Sequence, residues 1–369
     1  MSETSLPTRH PSLRLLLLGY GHVAQAFLQL LASRSIWLGN ELGVRPVVCG
    51  LGTRSHGLYI YPRGFEASFL VQDADPFQQF INNGTYVDNA GAFIEAGKAL
   101  GATVLIELTT LNPQNGQPAL SYIRTALQSG LDVITANKGP VAYAQSELQA
   151  LAGRQNVQFR FEATVMDGLP LINLAQFTLQ AVGIHSFRAL LNTTSSLVLN
   201  MIEQGFTRDE AIAKAQELGI AEADPWYDLD AWDAVMKTTI LANTLLESQL
   251  SPHQVVRQGI RDLAPAEIRA AAQAGTPIRL VSQANLKQGV SIAEVRPRKL
   301  GKDDILLVGK GTTSVISLET EAMGTITLVE HEPTVTQTAY GVLSDLVTIL
   351  KQKASELTHG LDSLPHISQ

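Results

Sequence analysis

LRLLLLGYGHVAQAF, residues 13–27, is an apolar run that turns through two glycines into the amphipathic segment VAQAFLQLLASR. The joint has the spacing G-x-G-x-x-A, with Gly19, Gly21 and Ala24 at the small positions and His22 and Val23 between them. Each small residue answers a physical need. Gly19 permits a tight strand-to-helix turn, Gly21 lets the backbone come close to a pyrophosphate, and Ala24 lets helix and strand pack closely. The bare pattern also fits a glycine-rich turn with no ligand. Its position after an apolar strand, before a helix and at the head of an alternating series favours a dinucleotide site.

The alternation continues to about residue 153. PVVCGL, FIEAGKALG, TVLIEL, ALSYIRTALQSG, DVITA and YAQSELQALAG read as strands of four to six residues separated by helices. That rhythm predicts βαβ units and a Rossmann-type, doubly wound parallel sheet. Beyond it, VQFRFEATV and IHSFRALLN read as strands flanking a helical LINLAQFTLQAVG, followed by helices at about 194–204, 207–218 and 230–246. Thr207 and Glu210 form a capping box, and Gly219 closes that helix. After a helix near 265–274, PIRLVSQANL, VSIAEVRPR, TTSVISLETEA and TITLVEHE predict a largely antiparallel sheet. The expected organisation is a dinucleotide-binding domain at 1–153 with a returning helix at about 335–352. A second α+β domain for catalysis and dimerisation occupies 154–334, and a polar tail 353–369.

Of the 369 residues 45% are hydrophobic and 17% charged, the balance of a globular chain long enough for two or three domains. The net charge of −7 and scattered Lys and Arg residues exclude nucleic acid as an expected partner. The run Leu15 to Leu18 is too short for a membrane span or a signal-peptide core, so a cytoplasmic protein is expected. The single cysteine, Cys49, sits in an apolar run and reads as a small buried residue rather than a nucleophile.

Cofactor choice falls at the end of the second strand, CGLGTRSHG. No carboxylate stands there for a ribose 2′-hydroxyl, and the Arg54 guanidinium suits a 2′-phosphate, which favours NADP over NAD unless Arg54 is simply solvated. ELTTLNPQNGQPA, with Thr109, and TANKGPVA, with Lys138, follow later strands on the side where the cofactor crevice opens. Asn-Lys-Gly-Pro is a rigid mount that brings Lys138 to nicotinamide or substrate.

EADPWYDLDAWDAVMK, residues 222–237, places five acids before one lysine. Locally, Asp230 can cap a helix and Asp233 can pair with Lys237 as an ordinary i,i+4 surface pair. The same residues can also form a cleft wall that holds an ammonium group and delivers a proton.

With GYGHVA at 19–24, ANKGPVA at 136–142, EATVMDGLP at 162–170, LLNTTSSLVL at 190–199 and GIAEADPWYDLDAWDAVMK at 219–237, the chain resembles the homoserine dehydrogenases to about residue 350. The resemblance implies reversible hydride transfer between NADP(H) or NAD(H) and C4, interconverting L-homoserine and L-aspartate 4-semialdehyde in threonine and methionine biosynthesis. It implies Lys237 as proton donor, Lys138 beside the nicotinamide and Asp228 near the reacting hydroxyl. It also implies Glu222 and Asp233 on the substrate's α-ammonium and Thr194 as a further substrate contact. Main-chain carbonyls of Glu162, Val165, Asp167 and Leu169 would hold a monovalent cation, sodium, and the assembly would be a homodimer. A regulatory ligand-binding domain of longer family members is not expected.

Three stretches depart from the family pattern: Met166-Asp167-Gly168 in a glycine-rich run, Asn192-Thr193-Thr194 for Asn-Gly-Thr, and HEPTVTQTAYG for a glycine-rich nucleotide contact. The altered NTTSS turn keeps open a dehydrogenase of another small amino acid aldehyde. A non-catalytic NADP sensor would have no need of Lys237, Glu222 and Asp233 together.

Overall fold

The computed structural model describes residues 10–73, 75–287 and 289–362. Two sheets organise them. The first has seven strands: β1 (Ser12–Leu18), β2 (Arg45–Thr53), β3 (Gly57–Glu66), β4 (Thr85–Val87), β5 (Val104–Glu107), β6 (Asp132–Thr135) and β7 (Phe159–Arg160). They lie in the order β4-β3-β2-β1-β5-β6-β7. From β2 through β7 every pairing is parallel, while β3 and β4 extend the edge as antiparallel hairpin strands. The leucines of β1 are buried on both faces, which explains a run without alternation. β1 also lies between β2 and β5, so the order reverses at the carboxyl end of this strand, where a crevice must open.

The second sheet comprises β8 (Ile184–Leu190), β9 (Val256–Arg257), β10 (Ile278–Lys287), β11 (Val290–Lys299), β12 (Ser314–Thr320) and β13 (Gly324–Glu330). Their order is β13-β12-β8-β10-β11-β9, antiparallel except for the short β9 on β11. The two residues of β9 carry no sequence signal of their own. Helices Thr193–Glu203 and Trp232–Leu245 pack beside this sheet, Arg208–Glu217 packs on the first of them, and Thr207 and Glu210 make the expected capping box.

The last helix, Val335–Asp362, returns to the first sheet. Its Ala339, Val342, Leu343, Leu346 and Ile349 are buried with Leu15, Leu17, Phe27 and Leu31 in one apolar cluster. Each of the Val, Leu, Ile and Phe side chains among them contributes about 1.5–3 kcal/mol of transfer free energy. The helix also runs through the segment expected to be a tail: residues up to 362 are helical, and Lys353 pairs with the carboxylate of Asp132. The expected tail beyond 362 lies outside the described residues.

Two expectations fail in the middle of the chain. VQFRFEATV forms only the short β7 and then a 3₁₀ turn at Glu162–Thr164, because Glu162 turns inward to cap neighbouring backbone. LINLAQFTLQAVG gives one α turn at Leu171–Asn173 and a π turn at Leu174–Thr178 in place of a full helix. Cys49 is buried, as expected, with Sγ directed at the Leu15 carbonyl.

Candidate active site

At the end of β1, Gly19 takes φ +97°, and a Cβ there would stand 2.3 Å from the Leu108 carbonyl oxygen. Only glycine makes this turn. Gly21 precedes the helix His22–Ser33 without a side-chain cap, and a Cβ on it would meet nothing within 4 Å. Its open face leaves the first-turn amides, those of His22 and Val23, available to an anion at the positive end of the helix. Ala24 is fully buried beneath them. Val23, Leu108, Thr109, Leu111, Ala136, Asn137 and Lys138 line an adjoining slot of about 160 Å³. Arg54 is exposed in the turn between β2 and β3. This cradle fits a dinucleotide.

Glu107, which sequence reasoning passed over, organises the slot. Fully buried at the end of β5, it accepts hydrogen bonds from the Thr109 amide (2.8 Å), the Thr109 hydroxyl and the Thr135 hydroxyl (2.7 Å). Burial pushes its carboxyl above the usual range while these donors pull it back. An acid closing an apolar strand was the available signal. Asn137 caps the helix Lys138–Arg154 by accepting from the Gly139 amide and donates to the Thr109 carbonyl, both at 3.1 Å. Gly139 lies against Gly116, where a Cβ would come within 2.8 Å of the Gly116 Cα. Lys138, the first residue of that helix, is therefore carried on a rigid turn.

Lys138 reaches Asp233 at 3.2 Å, and Lys237 reaches the same carboxylate at 3.3 Å. Asp233 is only 7% exposed, so this i,i+4 pair belongs to the cleft and not to the surface. Asn192, a cap of the helix Thr193–Glu203, fixes the arrangement. Its Nδ2 donates to Asp228 (2.9 Å) and to Asp233 (3.0 Å), and its Oδ1 accepts from the Ser195 amide (2.8 Å) and hydroxyl (2.6 Å). All four hydrogen-bonding positions of the Asn192 amide are used, so two carboxylates are held at set places. Thr194 donates its one hydroxyl proton to the second oxygen of Asp228 at 2.6 Å, with the Ile220 carbonyl 3.3 Å from the same hydroxyl. It positions Asp228, and its hydroxyl proton is spoken for.

Burial works to raise the Asp233 carboxyl, but the Lys237 and Lys138 ammonium groups and Asn192 outweigh it and hold the group well below the usual range. Asp228 is pushed up by burial and by Asp233. For Lys237 burial favours the neutral amine, yet Asp233, Asp167 and Asp228 prevail and raise its pKa. Lys237 donates one hydrogen bond to the Leu191 carbonyl at 2.7 Å and faces Asp233 with another N–H. Its third N–H has no partner among the described residues.

Two expectations about 222–237 need correction. Glu222 is exposed in the loop before Pro225, where its carbonyl accepts from Gln216. It does not converge with Asp233 and Lys237, because the short helix Trp226–Leu229 separates it from the helix that bears them. Asp230 does not cap that helix. Its carboxylate pairs with Arg261, and Ala231 at φ +69° makes the entry without a side-chain cap.

In the cation segment, Met166 and Asp167 both take left-handed φ, 52° and 49°. The Leu169 carbonyl accepts from the Leu171 amide at 2.7 Å, and the Asp167 carbonyl lies against Gly341, where a Cβ would come within 3.0 Å. Among the described residues, only the Leu169 carbonyl of the four accepts a backbone hydrogen bond, and a carbonyl oxygen keeps a second lone pair.

A family model described as homoserine dehydrogenase matches residues 170–347. The NAD(+)-dependent homoserine dehydrogenase of Pseudomonas canavaninivorans is 34% identical over 354 residues, 94% of this chain and 99% of its own. This chain belongs to the homoserine dehydrogenase family. It is accordingly an NAD(P)-dependent oxidoreductase of amino-acid biosynthesis. The homoserine dehydrogenase of Sulfurisphaera tokodaii is 30% identical, covering 91% of this chain and 98% of its own. Among solved structures, a putative homoserine dehydrogenase from Archaeoglobus fulgidus superposes with a TM-score of 0.80 at 27% identity, covering 92% of this chain and 99% of that one. A hyperthermophilic archaeal homoserine dehydrogenase in complex with NADPH gives 0.76 at 26% identity, covering 92% and 98%. Among the described residues no helix is long and apolar enough to cross a membrane.

Proposed function

We propose that this enzyme interconverts L-homoserine and L-aspartate 4-semialdehyde with NADP(H) preferred, that Lys237 moves the proton, and that the protein works as a cytoplasmic homodimer. The arrangement of Lys237 carries the reading: a part-buried ammonium held by Leu191 and Asp233, with its remaining N–H available to a substrate oxygen. The bound nicotinamide supplies or accepts the hydride at C4. In the reducing direction an oxyanion develops at the aldehyde oxygen, and Lys237 stabilises and protonates it. Three nearby carboxylates keep Lys237 charged and ready for that step. Lys138, between the nucleotide slot and Asp233, orients the reacting end, and Asp228 accepts a hydrogen bond from the C4 hydroxyl. The main-chain carbonyls of Glu162, Val165, Asp167 and Leu169 would hold a monovalent cation, and no step is routed through it. The exposed β13 at the edge of the second sheet supports pairing with a second copy.

The position of Arg54 beyond β2 supports NADP, whereas the Pseudomonas relative is named for NAD(+) and favours the second reading. Parallel assays of L-homoserine oxidation with NADP⁺ and NAD⁺ decide between them. Arg54→Ala should lower kcat/KM for NADP⁺ by about 10- to 100-fold, the worth of a charge-assisted hydrogen bond, and leave NAD⁺ turnover unchanged. Equal rates for both nucleotides in the unmodified enzyme would leave Arg54 as a solvated loop residue.

A further inference from the structure

The helices Lys138–Arg154 and Trp232–Leu245, which bring Lys138 to Asp233 near their first turns, pack against each other. Further along, about two turns or 10 Å from Lys138 and from Lys237, stand Gln145 and Thr244. Both line a separate cavity of about 250 Å³ that shares no lining residue with the nucleotide slot. Gln145 Nε2 donates to Thr244 Oγ1 at 2.9 Å and so ties the two helices together beside it.

The walls are polar throughout. Every side chain lining the cavity is a carboxamide or a hydroxyl except Glu247, and no lysine or arginine lines it. Gln145 is 3% exposed, and its Oε1 is buried with no hydrogen-bond partner among the described residues. A buried acceptor left open costs free energy that a donor from a ligand recovers. The last torsion of a glutamine is soft, so a small turn of the amide presents that oxygen to the cavity. Glu247, just past the end of the second helix, is exposed and takes a left-handed φ of 50°. Its carboxylate is the single charge on the walls.

One negative charge beside an open acceptor suits a cation that also carries a hydroxyl donor. A carboxylate or phosphate on the ligand would meet Glu247 and no cation, and a long alkyl chain would lie on polar walls. The first helix is also broken at Ala144, φ −145° and ψ 23°, immediately before Gln145. Such a break lets the part bearing Lys138 tilt on the part beyond it. We infer that this cavity binds a small amino-alcohol cation, and that the bound cation, by engaging Gln145 and Glu247 together, changes how Lys138 meets Asp233.

The test titrates the full-length enzyme calorimetrically with ethanolamine, and with ethylene glycol as the probe that lacks the ammonium. Ethanolamine should bind, and ethylene glycol should bind at least about 10-fold more weakly, the loss of one charge-assisted contact. Glu247→Gln, at an exposed position, should weaken ethanolamine by the same factor, and Gln145→Met, close in shape, should weaken it too. The titration needs no turnover, so it reads the site whatever the substrate. A ligand of the active site is displaced by saturating L-homoserine, so coupling is read as kcat at saturating homoserine and nucleotide. Ethanolamine should change kcat by about 5-fold, the lower end of common couplings, in the parent and not in Glu247→Gln. Absence of binding, equal affinity for the two probes, affinity unchanged in both variants, or an effect that homoserine abolishes would each overturn the site. Binding that leaves kcat unchanged would overturn its coupling to Lys138.

Discussion

With Asp233, Asp167 and Asp228 around it, Lys237 keeps its proton to higher pH than an ordinary lysine, although burial works against the charge. Homoserine oxidation needs the neutral amine, so its rate should climb through the alkaline range without levelling below the ordinary lysine value. Aldehyde reduction needs the charged form and should hold its rate over the same range. Asp233→Asn removes the largest of the three opposing charges and should move the oxidation limb to lower pH; an unmoved profile would separate Lys237 from the proton step. Lys237→Ala should lower kcat by about 10²- to 10⁴-fold, the usual worth of a positioned proton donor, while nucleotide binding by fluorescence titration stays intact. Lys138, Asp233 and Lys237 were legible from their motifs. Asn192 was seen only as part of a turn, because nothing in a sequence says that one amide will bridge two acids 36 and 41 residues away.

The elements that read best were those with a strong local period or cap: β1, the helix after Gly21, and the helix opened by Thr207 and Glu210. Residues 161–178 read worst, because their conformation answers to distant groups. Glu162 accepts from the amides of Ile172 (2.8 Å) and Asn173 (2.7 Å), trading a strand for a folded turn. Gly168 belongs to the same turn, and a Cβ on it would come within 2.1 Å of the Gln337 carbonyl oxygen in the last helix. Gly168→Ala should displace the first turn of that helix and cost about 1–3 kcal/mol, as overpacking does, read as a lower urea midpoint at unchanged m-value. A variant as stable as the parent would show that the helix start yields freely.

At the scale of the whole molecule, the last helix ties the chain's end to its middle through buried acids. Asp345, 1% exposed, accepts from the Glu162 amide at 2.8 Å. Burial and then the Glu162 charge push Asp345 up to about 8, and burial raises Glu162 to about 7. Both groups hold protons in the folded state that the unfolded chain has released. Their stabilisation is therefore complete below the ordinary carboxylate range and is lost as pH rises through about 7 to 8. Asp345→Asn keeps an acceptor for the Glu162 amide without a charge, so its Tm should fall less than the parent's between about pH 5 and pH 9. Parallel falls would place the pH dependence elsewhere. The sequence by itself determined the two sheet types, the dinucleotide turn, the family and the lysine-bearing segments, since these rest on local periodicity and on short motifs with one backbone solution. Only the tertiary structure decided which acids surround Lys237, that Glu222 stands apart, and that Glu162, Asp345 and Glu330 are buried acids. Burial and electrostatic partnership depend on which distant segments close over a residue, and no local pattern encodes that.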